Sequence, residues 1–240
     1  DLRCNELITN KILKLTPNIP IVSEETVDLK IKNKNKIFWL IDPIDGTKSF
    51  VRGYPFFSTQ IALMHKGQII LGVSNGCMFD ELIYAERNNG SWFNHEKISV
   101  SDINNIDSSS ISTGNLKSLA SSKGWAKLGD IVKRSDRIRG YGDFYHYHLL
   151  AMGKIEAVIE SDVNILDIAA DIKGNDSARP TPAPVSIAPI KNTSKITLSM
   201  PVCLVSNIPE NVRGVLEFLI REKTNATVGR MYKAQPVNIQ

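Results

Sequence analysis

Two aspartates that follow an apolar run are the residues best placed to do chemistry. Asp42 and Asp45 stand three positions apart, directly after the apolar residues 37–41. An unbroken apolar run predicts a central strand that is buried on both faces and ends before Asp42. With Pro43 stiffening the turn, the two carboxylates can converge, and they would repel each other unless a cation bound them. Because Mg²⁺ prefers oxygen ligands, the spacing predicts a magnesium site.

The next two residues have the properties of an anion site. Gly46 lets the backbone approach a ligand closely, and Thr47 carries a hydroxyl that can orient a water molecule. If a helix begins here, its free N–H groups can bind a phosphate that also contacts the metal. Further acids near predicted strand ends are Glu24, Glu160 and Asp167. Together these residues predict metal-assisted chemistry on a phosphate.

The hydrophobic pattern predicts the elements that position these residues. Helices are expected at 2–15 and 142–153, strands at 19–22 and 155–160, and a meander of strands at 57–86. We divide the chain into an N-terminal lobe, 1–110, and a C-terminal lobe, 111–240. The second lobe would contain a proline-rich segment at 174–201 and a closing strand and helix at 202–222.

Composition and charge exclude several classes of protein. Of the 29 Lys/Arg and 25 Asp/Glu, nine and five lie beyond residue 170, so residues 1–170 are neutral. A neutral charge balance over these residues argues against the basic face that a nucleic-acid-binding protein normally carries. No apolar run approaches the ~18 residues of a membrane span, and no leader is expected. The three cysteines, far apart, are expected to be reduced thiols in a cytoplasmic protein.

Three segments resemble the signatures of the inositol monophosphatase superfamily. They are Glu24-Glu25, the run from Trp39 to Thr47, and Leu166-Asp167-Ile168-Ala169-Ala170. The similarity extends from Asp1 to about Asp171, and in the third segment Leu166 replaces the usual aromatic residue. The resemblance implies a fold of the α+β or α/β class, arranged as a layered αβαβα sandwich. It also implies a cluster of two or three Mg²⁺ ions.

The same resemblance assigns roles to individual residues. It implies metal ligation by the Ile44 carbonyl and by four acids, which are Glu24, Asp42, Asp45 and Asp167. Glu24 and Thr47 would activate the attacking water, and the N–H groups of Gly46 and Thr47 would hold phosphate. Glu160 falls where the family contacts substrate hydroxyl or amino groups, and Asp1 matches an acid associated with a third metal. Lithium inhibition and a homodimer are also implied.

The substrate is predicted from the segment 139–148. Gly142-Asp143 followed by aromatic residues resembles the histidinol-phosphate phosphatase branch. Asp143 could face a substrate ammonium group or cap the helix that begins there. Residues 15–25 and 48–50 resemble the bisphosphate nucleotidase branch, and inositol-1-phosphate also remains open. His146 and His148 are not expected to bind a metal, because positions i and i+2 of a helix face different sides.

Two departures from the family pattern leave a further alternative open. About 45 residues of N-terminal helix are absent by that pattern, and residues 171–175 replace a hydrophobic helix ending in Glu-Ala-Gly-Gly. An inactive, truncated relative that acts only as a binding protein is therefore the alternative to an active phosphatase.

Overall fold

Helices and strands alternate along the part of the chain that the structure describes. This computed structural model describes residues 1–26, 37–122, 124–161, 163, 166, 169 and 170. The helices are α1 (Leu2–Leu15), α2 (Thr47–Val51), α3 (Leu116–Ala120), α4 (Gly124–Arg134) and α5 (Asp143–Ala151). The strands are β1 (Ile21–Ser23), β2 (Ile37–Asp45), β3 (Ser58–His65), β4 (Gln68–Gly76), β5 (Glu81–Glu86), β6 (Gly90–Phe93), β7 (Glu96–Ile98), β8 (Ser110–Thr113), β9 (Arg137–Arg139) and β10 (Ala157–Ile159). The predicted helices at 2–15 and 142–153 are confirmed.

The first seven strands form one sheet in chain order. β1 pairs in parallel with β2, and each later strand pairs antiparallel with the one before it. Left-handed residues at the tight turns, Lys66 and Gly67 in one and Asn88 in another, allow the chain to reverse within a few residues. The meander predicted for 57–86 is confirmed. A second sheet contains β10, β8 and β9, all parallel.

Five layers stack in the order helix, sheet, helix, sheet, helix. α1 packs Ile12 against Trp39 and Ile41 on one face of the large sheet. α5 lies between the sheets, and its Leu150 packs with Val158 on one face of the small sheet. α3 and α4 cover the opposite face of the small sheet in a separate apolar cluster. The layered αβαβα sandwich predicted from the resemblance is confirmed.

Two histidines of α5 face opposite sheets. His148 Nε2 lies 2.7 Å from Ser74 Oγ on β4, and its Nδ1 lies 2.9 Å from Glu81 Oε2 on β5. His146 Nδ1 lies 3.3 Å from Ser112 Oγ on β8 of the small sheet. Both imidazoles are fully buried. The two side chains therefore diverge as the i and i+2 spacing predicts, and each connects α5 to a different layer.

Burial of these histidines predicts that the protein loses stability in acid. Burial lowers the pKa of His146 to about 3 and also lowers that of His148, where Glu81 opposes the effect. In the unfolded chain a histidine has a pKa of about 6.5, so below that pH the unfolded state binds protons that the native state excludes. We expect full stability above pH 6.5 and a loss from His146 of about 2 kcal/mol at pH 5.

Urea unfolding at pH 7.5 and pH 5 measures this loss. The His146→Gln variant should show a weaker pH dependence, because glutamine does not titrate. His95→Gln, the same change at an exposed position, is the matched control. Equal pH dependence in the His146→Gln variant and the wild type would contradict the expectation.

Several predicted features fall beyond what the structure describes. Asp167, the proline-rich segment at 174–201 and the closing elements at 202–222 lie outside the described residues. The large sheet spans residues 21–98 and the small sheet 110–159, but the division into two lobes at residue 110 stays a prediction. Within the described ranges, no helix has the length and apolar character needed to cross a bilayer.

Candidate metal and phosphate site

A β-bulge brings the two aspartates of β2 to one face of the large sheet. Asp42 pairs with Gln60 of β3, Asp45 pairs with Ser58, and the register shifts between the two pairs. Gln60 and Ser58 are two residues apart, so they share a face, and cross-strand partners share that face too. In a regular strand, positions i and i+3 would point to opposite faces. The expectation that the strand ends before Asp42 is therefore wrong, because β2 continues through the bulge to Asp45.

Hydrogen bonds hold the two carboxylates and the loop that follows. Asp42 is 2% exposed, and its Oδ1 accepts a hydrogen bond from the Ile44 N–H at 3.1 Å. The Ile44 carbonyl accepts one from Thr47 Oγ1 at 3.0 Å. Asp45 Oδ2 accepts one from Ser58 Oγ at 3.2 Å. The bulge thus presents two carboxylates and a backbone carbonyl in a fixed arrangement.

Gly46 connects the bulge to α2 in a conformation that other residues adopt with strain. Its φ is +83°, and it occupies the position before the first residue of α2, Thr47. A Cβ at this position would lie 2.7 Å from the Phe56 carbonyl oxygen and 3.2 Å from Phe57 Cα. Only glycine permits this close approach, so the start of α2 is placed directly after Asp45.

Parallel pairing places Glu24 at the same edge of the sheet as Asp42. Ser23, at the end of β1, is in register with Ile41 of β2. Glu24 follows immediately, is exposed, and opens a 3₁₀ helix, Glu24–Thr26. The Ser23 hydroxyl donates to Asn5 Oδ1 of α1 at 2.6 Å, which fixes the end of β1.

The oxygen donors of this site fit a hard divalent cation. Within the described residues, no group of three or more His, Cys, Asp or Glu side chains could hold a metal ion, and Asp167 lies outside them. Mg²⁺, however, is commonly held by one or two carboxylates together with substrate and water. Asp1 Oδ1 is buried and has no hydrogen-bond partner among the described residues. Cys4, one helical turn further along α1, packs with Ile44, so the start of α1 lies beside the bulge.

A hydrogen bond ties the predicted substrate segment to α2. Ser49 Oγ of α2 donates to Asp143 Oδ2 of α5 at 2.8 Å. Gly142, and not Asp143, occupies the N-cap position of α5, so the capping alternative for Asp143 is not realised. Although Asp143 is exposed as a residue, burial around its carboxyl raises its pKa, and the Ser49 hydrogen bond acts in the opposite direction. This carboxylate therefore lies beside the helix that follows the bulge.

Glu160 occupies the C-terminal edge of the small sheet. It follows β10, is 7% exposed, and its Oε2 lies 3.3 Å from His146 Nε2. Gly114 follows β8 at the same edge, and a Cβ there would overlap the Glu160 carboxylate. The glutamate is thus enclosed between α5 and the end of β8.

Three polar residues at the site, Ser49, Ser58 and Gln60, are not predicted from the sequence. The last two stand in a strand that is otherwise largely apolar, and both are 1% exposed. Alternating polar residues in a buried strand are the available signal. The alternation does not show which residues of β2 lie opposite Ser58 and Gln60, because the register of β2 against β3 is not contained in it.

Comparisons with known proteins agree with this architecture. The sequence model of the inositol monophosphatase family matches residues 1–172. A Thermotoga maritima protein named fructose-1,6-bisphosphatase/inositol-1-monophosphatase is 32% identical over 173 residues, covering 72% of this chain and 64% of that protein. The histidinol-phosphatase of Mycobacterium tuberculosis is 34% identical over 143 residues, covering 55% of this chain and 53% of that protein.

A solved structure shows the same fold. The extragenic suppressor protein suhB of Bartonella henselae superposes with a TM-score of 0.65 at 29% identity, covering 72% of this chain and 68% of that one. This chain spans between about half and two thirds of the length of the two curated relatives. The family model matches well over half of the residues of this chain. The chain belongs to the inositol monophosphatase family.

Proposed function

We propose that this protein is a Mg²⁺-dependent phosphomonoesterase that hydrolyses the phosphate ester of a small metabolite, with histidinol phosphate as the favoured substrate. The observation that carries the proposal is the bulge in β2, which places Asp42 and Asp45 on one face beside the Ile44 carbonyl. Enzymes of this family typically depend on Mg²⁺. A site with two carboxylates and a carbonyl, followed at once by the start of a helix, suits a cation and a phosphate together.

Each residue of the site has a proposed role. Asp42, Asp45, the Ile44 carbonyl, Glu24 and Asp167 would hold two or three Mg²⁺ ions. When bound, Mg²⁺ would supply Lewis-acid activation of water and neutralise charge on the phosphate.

Two side chains would handle the water. Thr47 Oγ1 donates its hydrogen to the Ile44 carbonyl, so its lone pairs are directed away and can accept a hydrogen bond from the attacking water. Glu24, exposed at the sheet edge, would take the proton from that water. The N–H groups of Gly46 and Thr47, at the start of α2, would orient the phosphate. Catalysis would come mainly from positioning and electrostatic stabilisation.

The substrate choice depends on Asp143 and Glu160. Histidinol phosphate carries an ammonium group, which a carboxylate beside α2 would attract. Asp143 is held beside α2 by Ser49, and Glu160 is enclosed at the C-terminal edge of the small sheet. Gly142 would give the substrate access past the start of α5. The name of the mycobacterial relative supports the same substrate.

Phosphate release by the purified chain tests this proposal. The substrates are histidinol phosphate, inositol-1-phosphate and adenosine 3′,5′-bisphosphate, each with and without Mg²⁺. We expect Mg²⁺-dependent turnover with the highest kcat/KM for histidinol phosphate. Asp143→Asn should lower that kcat/KM by roughly three- to tenfold and leave inositol-1-phosphate turnover unchanged, because only the ammonium substrate loses an ion pair.

Other outcomes would favour the alternatives. A higher kcat/KM for inositol-1-phosphate or for the 3′(2′),5′-bisphosphate would replace the substrate while keeping the reaction. No turnover by a folded chain that binds Mg²⁺ would favour an inactive relative that acts only as a binding protein.

We also propose a cytoplasmic location and a small-molecule partner for this protein. Cys4 and Cys77 are free thiols, in keeping with the reducing cytoplasm. The partner is a small phosphorylated metabolite, without nucleic acid or membrane, and a homodimer stays a prediction from the resemblance.

A further inference from the structure

Gln60 is a buried amide that lies across from Asp42. It is 1% exposed and pairs directly with Asp42 between β3 and β2. Its Oε1 is buried and accepts no hydrogen bond from any described residue. Buried polar atoms in folded proteins are almost always paired, so an unpaired amide oxygen in the centre of a sheet calls for a physical reason.

The other end of the same amide leads to Asp45. Gln60 Nε2 donates to Ser58 Oγ at 2.8 Å, and Ser58 Oγ donates to Asp45 Oδ2 at 3.2 Å. A hydroxyl has one hydrogen, and the amide N–H occupies one of its lone pairs. The Ser58 hydrogen is thereby directed at Asp45. Ser58 is itself 1% exposed, so bulk water does not compete for this bond.

We propose that Gln60 and Ser58 are positioning residues that orient the Asp45 carboxylate for Mg²⁺. The inference rests on the proposed metal site. Ser58 binds Oδ2 of Asp45, which fixes the rotation of the carboxylate and aims its remaining lone pairs. Gln60 acts through Ser58, because its N–H sets the direction of the Ser58 hydroxyl. Polar groups that orient metal ligands in this way commonly change metal affinity by about 10- to 100-fold.

Magnesium affinity, measured by isothermal titration calorimetry with Mg²⁺ alone, tests this hydrogen-bond relay without any turnover. We expect Ser58→Ala to weaken Mg²⁺ binding about tenfold and Gln60→Leu to weaken it severalfold. The double variant should bind Mg²⁺ no more weakly than Ser58→Ala, because Gln60 has no path to Asp45 once the hydroxyl is gone.

Thermal unfolding of the same variants separates positioning from packing. Gln60→Leu removes a buried unpaired oxygen and keeps a similar volume, so its Tm without Mg²⁺ should be unchanged or raised. A residue that only supported the fold would lower Tm and leave the Mg²⁺ affinity of the folded protein unchanged. Ser112→Ala is the matched control: it removes a fully buried strand hydroxyl in the small sheet and should lower Tm without changing Mg²⁺ affinity.

The outcomes distinguish this inference from the proposed function. No Mg²⁺ binding by the wild type would overturn the metal site and the relay with it. Wild-type binding that Ser58→Ala and Gln60→Leu leave unchanged would overturn the relay alone. Effects of the two changes that multiply in the double variant would also overturn it, since they would then act independently.

Discussion

The variant Asp45→Asn is expected to abolish Mg²⁺-dependent turnover while the protein stays folded. Removing the charge takes away one of the two carboxylates that the bulge brings to a common face, and the loss in kcat/KM should be at least about a hundredfold. The fold should persist because the asparagine Oδ1 can still accept the hydrogen bond from Ser58 Oγ.

Initial rates measured against Mg²⁺ concentration, together with thermal unfolding, check this result. Mg²⁺ should raise the Tm of the wild type and should not raise that of Asp45→Asn, because ligand binding stabilises only the state that binds. Asp130→Asn, the same change at an exposed position of α4, should keep both activity and the Mg²⁺-induced shift. Full activity in Asp45→Asn would remove the basis for the metal assignment.

The variant Gly46→Ala is expected to lose both stability and activity through the addition of a single methyl group. The new Cβ would lie 2.7 Å from the Phe56 carbonyl oxygen in a residue whose φ is +83°. The left-handed conformation alone costs a non-glycine residue about 1–2 kcal/mol, and the collision with backbone adds about 1–3 kcal/mol. We expect the free energy of unfolding to fall by about 2–5 kcal/mol and turnover to be lost, since α2 must move away from Asp45.

Gly67→Ala separates the two contributions. Gly67 has φ +75°, and a Cβ added there would have no neighbouring atom within 4 Å, so this variant carries the strain without the collision. Urea unfolding should show a loss of about 1–2 kcal/mol, with turnover unchanged. If the two variants lost equal stability and Gly46→Ala stayed active, the close approach at Gly46 would have no role in the site.

The sequence is sufficient to predict which acids form the candidate site, but not their geometry. Asp42 and Asp45 stand out because they continue a run expected to be buried, and charged residues are almost never fully buried unless they are paired. From the sequence, we expect a turn stiffened by Pro43 to bring the two carboxylates together. In the structure, a bulge within a continuing strand brings them to one face. Whether a strand bulges depends on its partner's register, which residues 37–45 alone do not contain.

The same distinction separates predictable from unpredictable features elsewhere. α1 and α5 are predictable because helical periodicity is local to the sequence, and the divergence of His146 and His148 follows from helix geometry alone. The hydrogen bond of Ser49 with Asp143 joins residues 94 positions apart, and the pairing of Gln60 with Asp42 depends on a register between two strands. Such contacts are set by tertiary packing and leave no periodic signature in the sequence.

The bulge in β2 also bears on how this segment tolerates a change in length. Pro43 and Ile44 together lie opposite Thr59, and their carbonyls accept hydrogen bonds from the hydroxyls of Thr59 and Thr47. A chain one residue shorter here could pair regularly with β3, and its two acids would still share a face, because positions i and i+2 of a strand do so. It would nevertheless lose the extra backbone unit that carries a carbonyl into the site. In a related sequence with one residue fewer between the two acids, we therefore expect weaker Mg²⁺ binding at the proposed site, even though both acids are retained.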